Sequence, residues 1–297
     1  MNLKGDNIMP GLLFVIDGTD GSGKHTQAQN LYDALCAAYG FIKDKNITMV
    51  SFPRYGESSA TMVEKYLHGE FGSDPNKIDP YTASMFYMID RSISFMNDKW
   101  GEVYRNDGIV IADRYYTSNI IHQGAKILKE MNYKTRYNTQ ACGNYDDTAE
   151  GKLEKFTKWL VETELFDIKI PKPNKIFWLM ADESANEQMM EHRVQEDSTH
   201  ITDIHEADKE YLEYCRKALM MHKSKYEFRL NDINRMTSRS TKDLEAYSEI
   251  IRREEFINVL DENNQIREIN DISNDILGYV IKYLAINGNY TMRYWLK

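Results

Sequence analysis

The stretch Phe14-Val15-Ile16-Asp17-Gly18-Thr19-Asp20-Gly21-Ser22-Gly23-Lys24-His25-Thr26 leaves this chain few folds to choose from. A short apolar run at 12–16 reads as a buried parallel strand, and residues 27–39 carry apolar side chains at helical spacing. Strand, glycine turn, Gly-Lys and helix, in that order, make an anion cradle. Glycines let the backbone curl with positive φ. The unpaired amides of the helix start then point at the anion, with the helix dipole behind them. Gly18, Asp20, Gly21, Ser22, Gly23, Lys24, His25 and Thr26 are therefore the candidate phosphate-binding residues, with Lys24 a compact point charge. One position departs from G-x-x-x-x-G-K-[ST]. His25 stands where a hydroxyl normally reaches Mg²⁺, and Thr26 lies about 100° further round the helix. A glycine turn that binds nothing is the plain alternative, against which strand, loop and helix all agree.

The chain has 297 residues and a formal net charge of -9, which argues against a nucleic-acid coat or a membrane-surface binder. It does not argue against a nucleotide, which needs only a local basic pocket. Cys36, Cys142 and Cys215 are scattered without metal-ligand spacing, so reduced thiols in a cytoplasmic setting are expected. No apolar run approaches a membrane span, and residues 1–10 lack a signal-peptide core.

Five apolar runs, 12–17, 47–52, 108–113, 175–180 and 255–260, alternate with helical-period segments. That alternation predicts an α/β fold, a doubly wound five-stranded parallel sheet with helices on both faces. Helices are expected over 82–99, 117–128, 151–166, 184–194, 204–228, 231–253 and 271–284. Residues 132–147 are polar and aperiodic and read as a loop. We expect one domain, 1–297: a core of about 12–230 plus 255–285, an insertion near 129–150 and an extra helical segment near 231–253.

Ligands on such sheets bind at the carboxyl ends of the strands. Arg54 follows the second run and Arg114 the third, so both guanidiniums should converge opposite the loop and hold a second phosphate in bidentate geometry. Surface ion pairs are the other reading. Asp113 ends its apolar run in the manner of an acid that orients Mg²⁺ through water, or it pairs with Lys24 or caps the next helix.

With these residues in place, the chain resembles the thymidylate kinase family of nucleoside-monophosphate kinases. The matching pieces are the Gly18-to-Lys24 loop, Phe52-Pro53-Arg54, Phe86-Tyr87-Met88-Ile89-Asp90-Arg91, and Asp113-Arg114-Tyr115 through Gln123. Asp203-Ile204-His205-Glu206 with Tyr211-Leu212 is similar to the end of the family's mobile lid, here about 193–210. The resemblance implies a P-loop NTPase-type sheet with a helical lid, ATP as donor and Mg²⁺ as its companion. It implies that Tyr87 stacks on a pyrimidine while Arg91 bonds its carbonyl edge; their i, i+4 spacing puts both on one helix face. A core aromatic and a surface arginine are the alternative. Asp20 would meet the deoxyribose 3′-hydroxyl. Arg54 and Arg114 would hold the monophosphate beside Phe52, and Ser118, Asn119, His122 and Gln123 would line the base and sugar site. A homodimer is likewise implied.

This chain departs from the family at His25 and at His122, where an aromatic often excludes the ribose 2′-hydroxyl. It carries no arginine in the loop and no Lys or Arg over 194–208, only His200 and His205. Arg193 and Arg216 are the flanking cations, and Arg193 is taken with Lys24 and Arg114 as catalytic. The activity expected is transfer of the ATP γ-phosphoryl group to dTMP. A deoxynucleoside kinase would instead use Asp17 or Asp20 as a base, and a non-catalytic nucleotide-binding protein is the third reading.

Overall fold

The computed structural model describes residues 11–72, 74, 77–137, 147–196, 208–235 and 253–286; for 38–39, 134–137, 191–196 and 228–235 it describes the backbone alone. The five apolar runs are five parallel strands: β1 (Leu12–Gly18), β2 (Ile47–Ser51), β3 (Ile109–Asp113), β4 (Lys175–Met180) and β5 (Glu254–Asn258), in the order β2-β3-β1-β4-β5. The chain leaves β1 in one direction to reach β2 and β3, then returns across β1 to β4. The sheet therefore switches direction at β1, and the crevice at its carboxyl end is where such sheets hold ligands. Register aligns those ends, with Ile16 beside Asp113, Gly18 beside Leu179, and Ser51 beside Asp113.

Strand alternation sorts the core into two layers. Leu13, Val15, Val110, Ala112, Ile176 and Trp178 face one side, and Phe14, Ile16, Ile109, Ile111, Phe177 and Leu179 the other. The first layer is covered by α3 (Pro80–Asn97), α4 (Lys99–Arg105), α5 (Thr117–Tyr137), α6 (Ala149–Val161) and α8 (Lys209–Arg235). The second is covered by α1 (Lys24–Tyr39) and α9 (Ile269–Ile286), the latter through Ile272, Ile276, Val280 and Leu284. Each such side chain contributes about 1.5–3 kcal/mol by leaving water. Short helix α2 (Thr61–Leu67) packs Val63, Tyr66 and Leu67 against Ala83 of α3, and α7 (Glu183–Glu196) follows β4.

Local signals set several helix starts. Asp79 accepts from the amides of Tyr81 and Thr82 with Pro80 in the first turn, and Thr148 accepts from Gly151 N. Other boundaries follow tertiary contact. The helix expected over 82–99, with Asp79-Pro80 at its start, is α3, which ends two residues earlier at Asn97; Asp98 separates it from α4, which the sequence reading lacks, as it lacks α2. Helix α5 runs on to Tyr137, into the stretch read as a loop at 132–147 and an insertion at 129–150. The cause is packing against α8. Lys129 pairs with Asp208 and Glu210, and Asn132 donates to Tyr214 Oη at 2.5 Å. Helix α6 continues into a π-helical turn, Glu162–Asp167, which turns Glu164 inward. Expectations for 197–207 in the lid, 236–252 in the extra segment and the tail beyond 286 fall outside the described residues. No helix among the described residues is long and apolar enough to cross a membrane.

Candidate active site

The loop between β1 and α1 closes as its glycines require. Gly21 and Gly23 have φ of 75° and 83°, and Ser22 N reaches Thr19 O at 3.2 Å. Helix α1 starts at Gly23 with no side-chain cap and no acid in its first turn. Its leading N–H groups are thus directed at the loop interior, where an anion would satisfy them. Lys24 is folded into this loop, 6% exposed, and donates to Thr19 O at 2.6 Å, with Asp20 Oδ1 3.7 Å away. Burial, and then the nearby Arg114, bring its ammonium down to about 8.

Arg114 is the partner of the loop. It adopts φ 67°, uncommon for a non-glycine residue, with its amide bonded to Ile16 O at 3.0 Å. One guanidinium nitrogen donates to Asp20 Oδ1 at 2.5 Å, and the other lies 3.1 Å from His122 Nε2. A guanidinium can only donate, so His122 Nε2 accepts and the ring proton sits on Nδ1, facing Tyr211 Oη at 3.2 Å. Tyr211 Oη in turn donates to His122 O. Burial alone would raise the Asp20 carboxyl. Arg114, with Lys24, outweighs it and holds Asp20 well below the usual range. Burial would equally lower Arg114, but Asp20 and Asp113 raise it.

Asp113 lies at the neighbouring strand end, where His25 Nδ1 donates to its Oδ2 at 3.0 Å and Ser51 Oγ at 3.3 Å. His25 thus occupies the hydroxyl position of the loop pattern by reaching the acid that the hydroxyl would neighbour, while Thr26 is exposed. Burial acts to raise Asp113; the His25 hydrogen bond, Arg114 and Lys24 bring it below the ordinary carboxylate value. Asp17 is buried and tied down. It accepts from Gly18 N, from Thr117 Oγ1 and through both oxygens from Ser118, and its burial raises it above the ordinary value.

The remaining expected site residues are more dispersed. Arg54 does not share a target with Arg114. Its guanidinium lies against Asp98 and 3.8 Å from Glu57, while its amide donates to Asp90 Oδ2 at 2.9 Å. The expected convergence of two arginines gives way to carboxylates that the fold brings beside Arg54. Arg91 is buried in a two-pronged pair with Glu164, both bonds 2.7 Å, its side chain 2% exposed. A base edge does not reach it in this conformation, because the π-helical turn supplies a closer acceptor. Phe52 is core, edge-on to Trp100 at 5.8 Å, and Tyr87 is half-buried against Tyr66 at 6.5 Å. Ser118 serves Asp17. Asn119 and Gln123, one turn apart on α5, are buried with Asn119 Nδ2 and both Gln123 amide atoms lacking a hydrogen-bond partner among the described residues. Buried amides left open in this way are what a ligand's polar edge would satisfy. The side chain of Arg193 lies outside the described set. Residues that sequence reasoning missed are Glu164, Asp98, Asp90, Thr117 and Asn186, the last donating to Thr19 Oγ1 at 2.9 Å. Each acts across a long sequence separation, which no local pattern announces.

No group of three or more His, Cys, Asp or Glu among the described residues is clustered to hold a metal by itself. Asp113 and Asp20 nonetheless offer hard oxygen beside the phosphate loop. That donor set suits a Mg²⁺ completed by substrate oxygens and water rather than a protein cage.

A parallel sheet that switches direction at a glycine loop, with lysine in the loop and Asp-Arg closing the adjacent strand, defines the class: a P-loop nucleotide-binding α/β protein of the nucleoside-monophosphate kinase type. Comparison with known proteins narrows it. A sequence model described as thymidylate kinase matches residues 16–147. The thymidylate kinases of two Mycobacterium tuberculosis strains, CDC 1551 / Oshkosh and ATCC 25618 / H37Rv, are each 27% identical to this chain over 207 residues, spanning 67% of it and 79% of the relative. Thymidylate kinase from Candida albicans superposes with a TM-score of 0.52 at 14% identity, covering 94% of this chain and 93% of that one. That from Ehrlichia chaffeensis gives 0.50 at 16% identity, covering 92% and 100%. At these identities the solved structures speak for the fold. Sequence and fold alike thus make this chain similar to the thymidylate kinases, at the distance of a divergent relative.

Proposed function

We propose that this protein transfers the γ-phosphoryl group of ATP to dTMP, giving dTDP and ADP. The observation that carries the reading is the Lys24–Asp20–Arg114 cluster, a buried loop lysine and a strand-end arginine sharing one ionised carboxylate, within the stretch that matches the thymidylate kinase model. An acceptor phosphate is already ionised at neutral pH, so no general base is required. The barrier is repulsion between two polyanions, on the order of 4 kcal/mol per pair of unit charges about 4 Å apart at an effective dielectric of 20. Lys24 and Arg114 offset it from the protein side. Arg54 exchanges Asp98 for the acceptor phosphate. Asn119 and Gln123 supply the base with donors and an acceptor. Asp113 would hold a Mg²⁺ through water, and the ion would supply charge neutralisation on the donor phosphates. A cytoplasmic homodimer is the setting that the family likeness favours.

The deoxynucleoside-kinase reading needs a carboxylate free to take a proton. Asp17 is bound by Thr117 and Ser118, and Asp20 is engaged by Arg114, which weighs against it. The test is a panel of nucleosides and nucleoside monophosphates with ATP and Mg²⁺, followed by product chromatography. dTDP formation is expected, and Lys24→Ala should abolish it while leaving dTMP affinity largely intact. Phosphorylation of thymidine but not dTMP would overturn the assignment.

A further inference from the structure

Helix α7 lies on the phosphate loop with an apolar face. A Cβ on Gly21 would sit 2.6 Å from Met190 Cγ and 2.8 Å from Asn186 O, and one on Gly23 would meet Met189 Cε at 3.1 Å. Beside that contact an open cleft runs between the loop, α7 and α8, with Thr19 and Asp20 in its wall. Its α7 side presents Met190 with the carboxylates of Glu183 and Glu187 and the amide of Asn186, whose buried Oδ1 has no partner among the described residues. The described cations lining it both come from α8, Lys209 and Arg216. Each is held by an α7 acid, Lys209 by Glu187 at 2.9 Å and Arg216 by Glu183 at 3.4 Å. They differ in enclosure, since the Lys209 side chain is 85% exposed and that of Arg216 15%.

We propose that Arg216 is the cation that α8 brings to the polyphosphate of a loop-bound nucleotide, with Glu183 holding it in reserve until the phosphates arrive. The proposal rests on the kinase reading for its role in turnover, but its binding component stands apart from it. The guanidinium offers a planar pair of donors that matches phosphate oxygens. Its resting partner is 65% exposed, and a half-solvated pair of this kind is weak enough to exchange. Arg216 lies outside both the loop and the 193–210 lid, so the sequence pattern of neither reveals it. Sequence alone placed it only as a flanking cation.

The experiment is calorimetric titration of the full chain with ATP and, separately, with inorganic tripolyphosphate, alongside steady-state turnover with ATP and dTMP. Arg216→Ala should weaken both ligands about tenfold to a hundredfold, the range for a lost charge-assisted hydrogen bond, leave dTMP affinity within about twofold, and lower kcat. Arg216→Lys should recover part of the loss. Glu183→Gln should tighten tripolyphosphate severalfold, because it removes the competitor, a gain that a structural pair would not produce. Unchanged ATP and tripolyphosphate affinity in Arg216→Ala, or weakened affinity in Glu183→Gln, would overturn the proposal. Wild-type chain that binds ATP through Arg216 but forms no dTDP would overturn the kinase reading and leave this site standing. If Arg216→Ala does not fold, Arg216→Gln keeps the stem and is read by the same criteria.

Discussion

At the scale of single residues, the pairings that matter are buried charges. Arg91 and Glu164 are enclosed together; Glu164, desolvated, lies above the ordinary carboxylate value, and Arg91 is held charged against it. Removing one partner strands the other. Arg91→Met should cost about 3–5 kcal/mol in urea unfolding, and the double change Arg91→Met with Glu164→Leu should recover most of that. A small loss in the single variant, with a selective rise in the dTMP KM, would return Arg91 to the base site. Lys126 is a second buried charge, bonded to Tyr66 Oη at 2.6 Å and brought down to about 8 by burial. Its unfolded value is about 10.4. Between these two values the unfolded chain holds more proton than the folded one, so the burial penalty, complete below pH 8, fades as pH rises toward 10.5. The stability of wild type relative to Lys126→Met should therefore increase across that window; a flat difference would mean that Lys126 keeps its charge.

At the scale of elements, the loop and α7 form one unit. Gly21→Ala places a methyl against the Asn186 carbonyl, which cannot step aside as the Met190 side chain can, and at a φ that disfavours it. ATP affinity should fall at least tenfold by calorimetry while circular dichroism keeps its native shape; retained affinity would show that the loop shifts without penalty. The loop itself, the five strands and the Asp79-Pro80 start of α3 were legible in the sequence, because they depend on glycine torsion, strand apolarity and capping within a few residues. The extension of α5 through 129–137 was not, since its polar residues Lys129 and Asn132 are held by Asp208, just before α8, and by Glu210 and Tyr214 on it.

At the scale of the molecule, the sheet needs cover on both faces, and the second face depends on a helix more than 250 residues from β1. Ending the chain after Glu268 removes Ile272, Ile276, Val280 and Leu284 and bares Phe14, Ile16 and Phe177. Such a truncation should fail to give a cooperative urea transition, because a parallel sheet is stable only with both faces buried. A cooperative transition in the truncated chain would show that α1 alone suffices.

By itself the sequence determined the phosphate loop, the parallel sheet and the kinase family resemblance, because these are encoded in contiguous residues whose local conformations carry the signal. Tertiary structure alone decided which charges meet. It sent Arg54 to Asp98, buried Arg91 against Glu164, joined His25 to Asp113, and paired Arg216 with Glu183. An ion pair is chosen by distance in space between side chains far apart in the chain, and that distance exists only once the helices have packed.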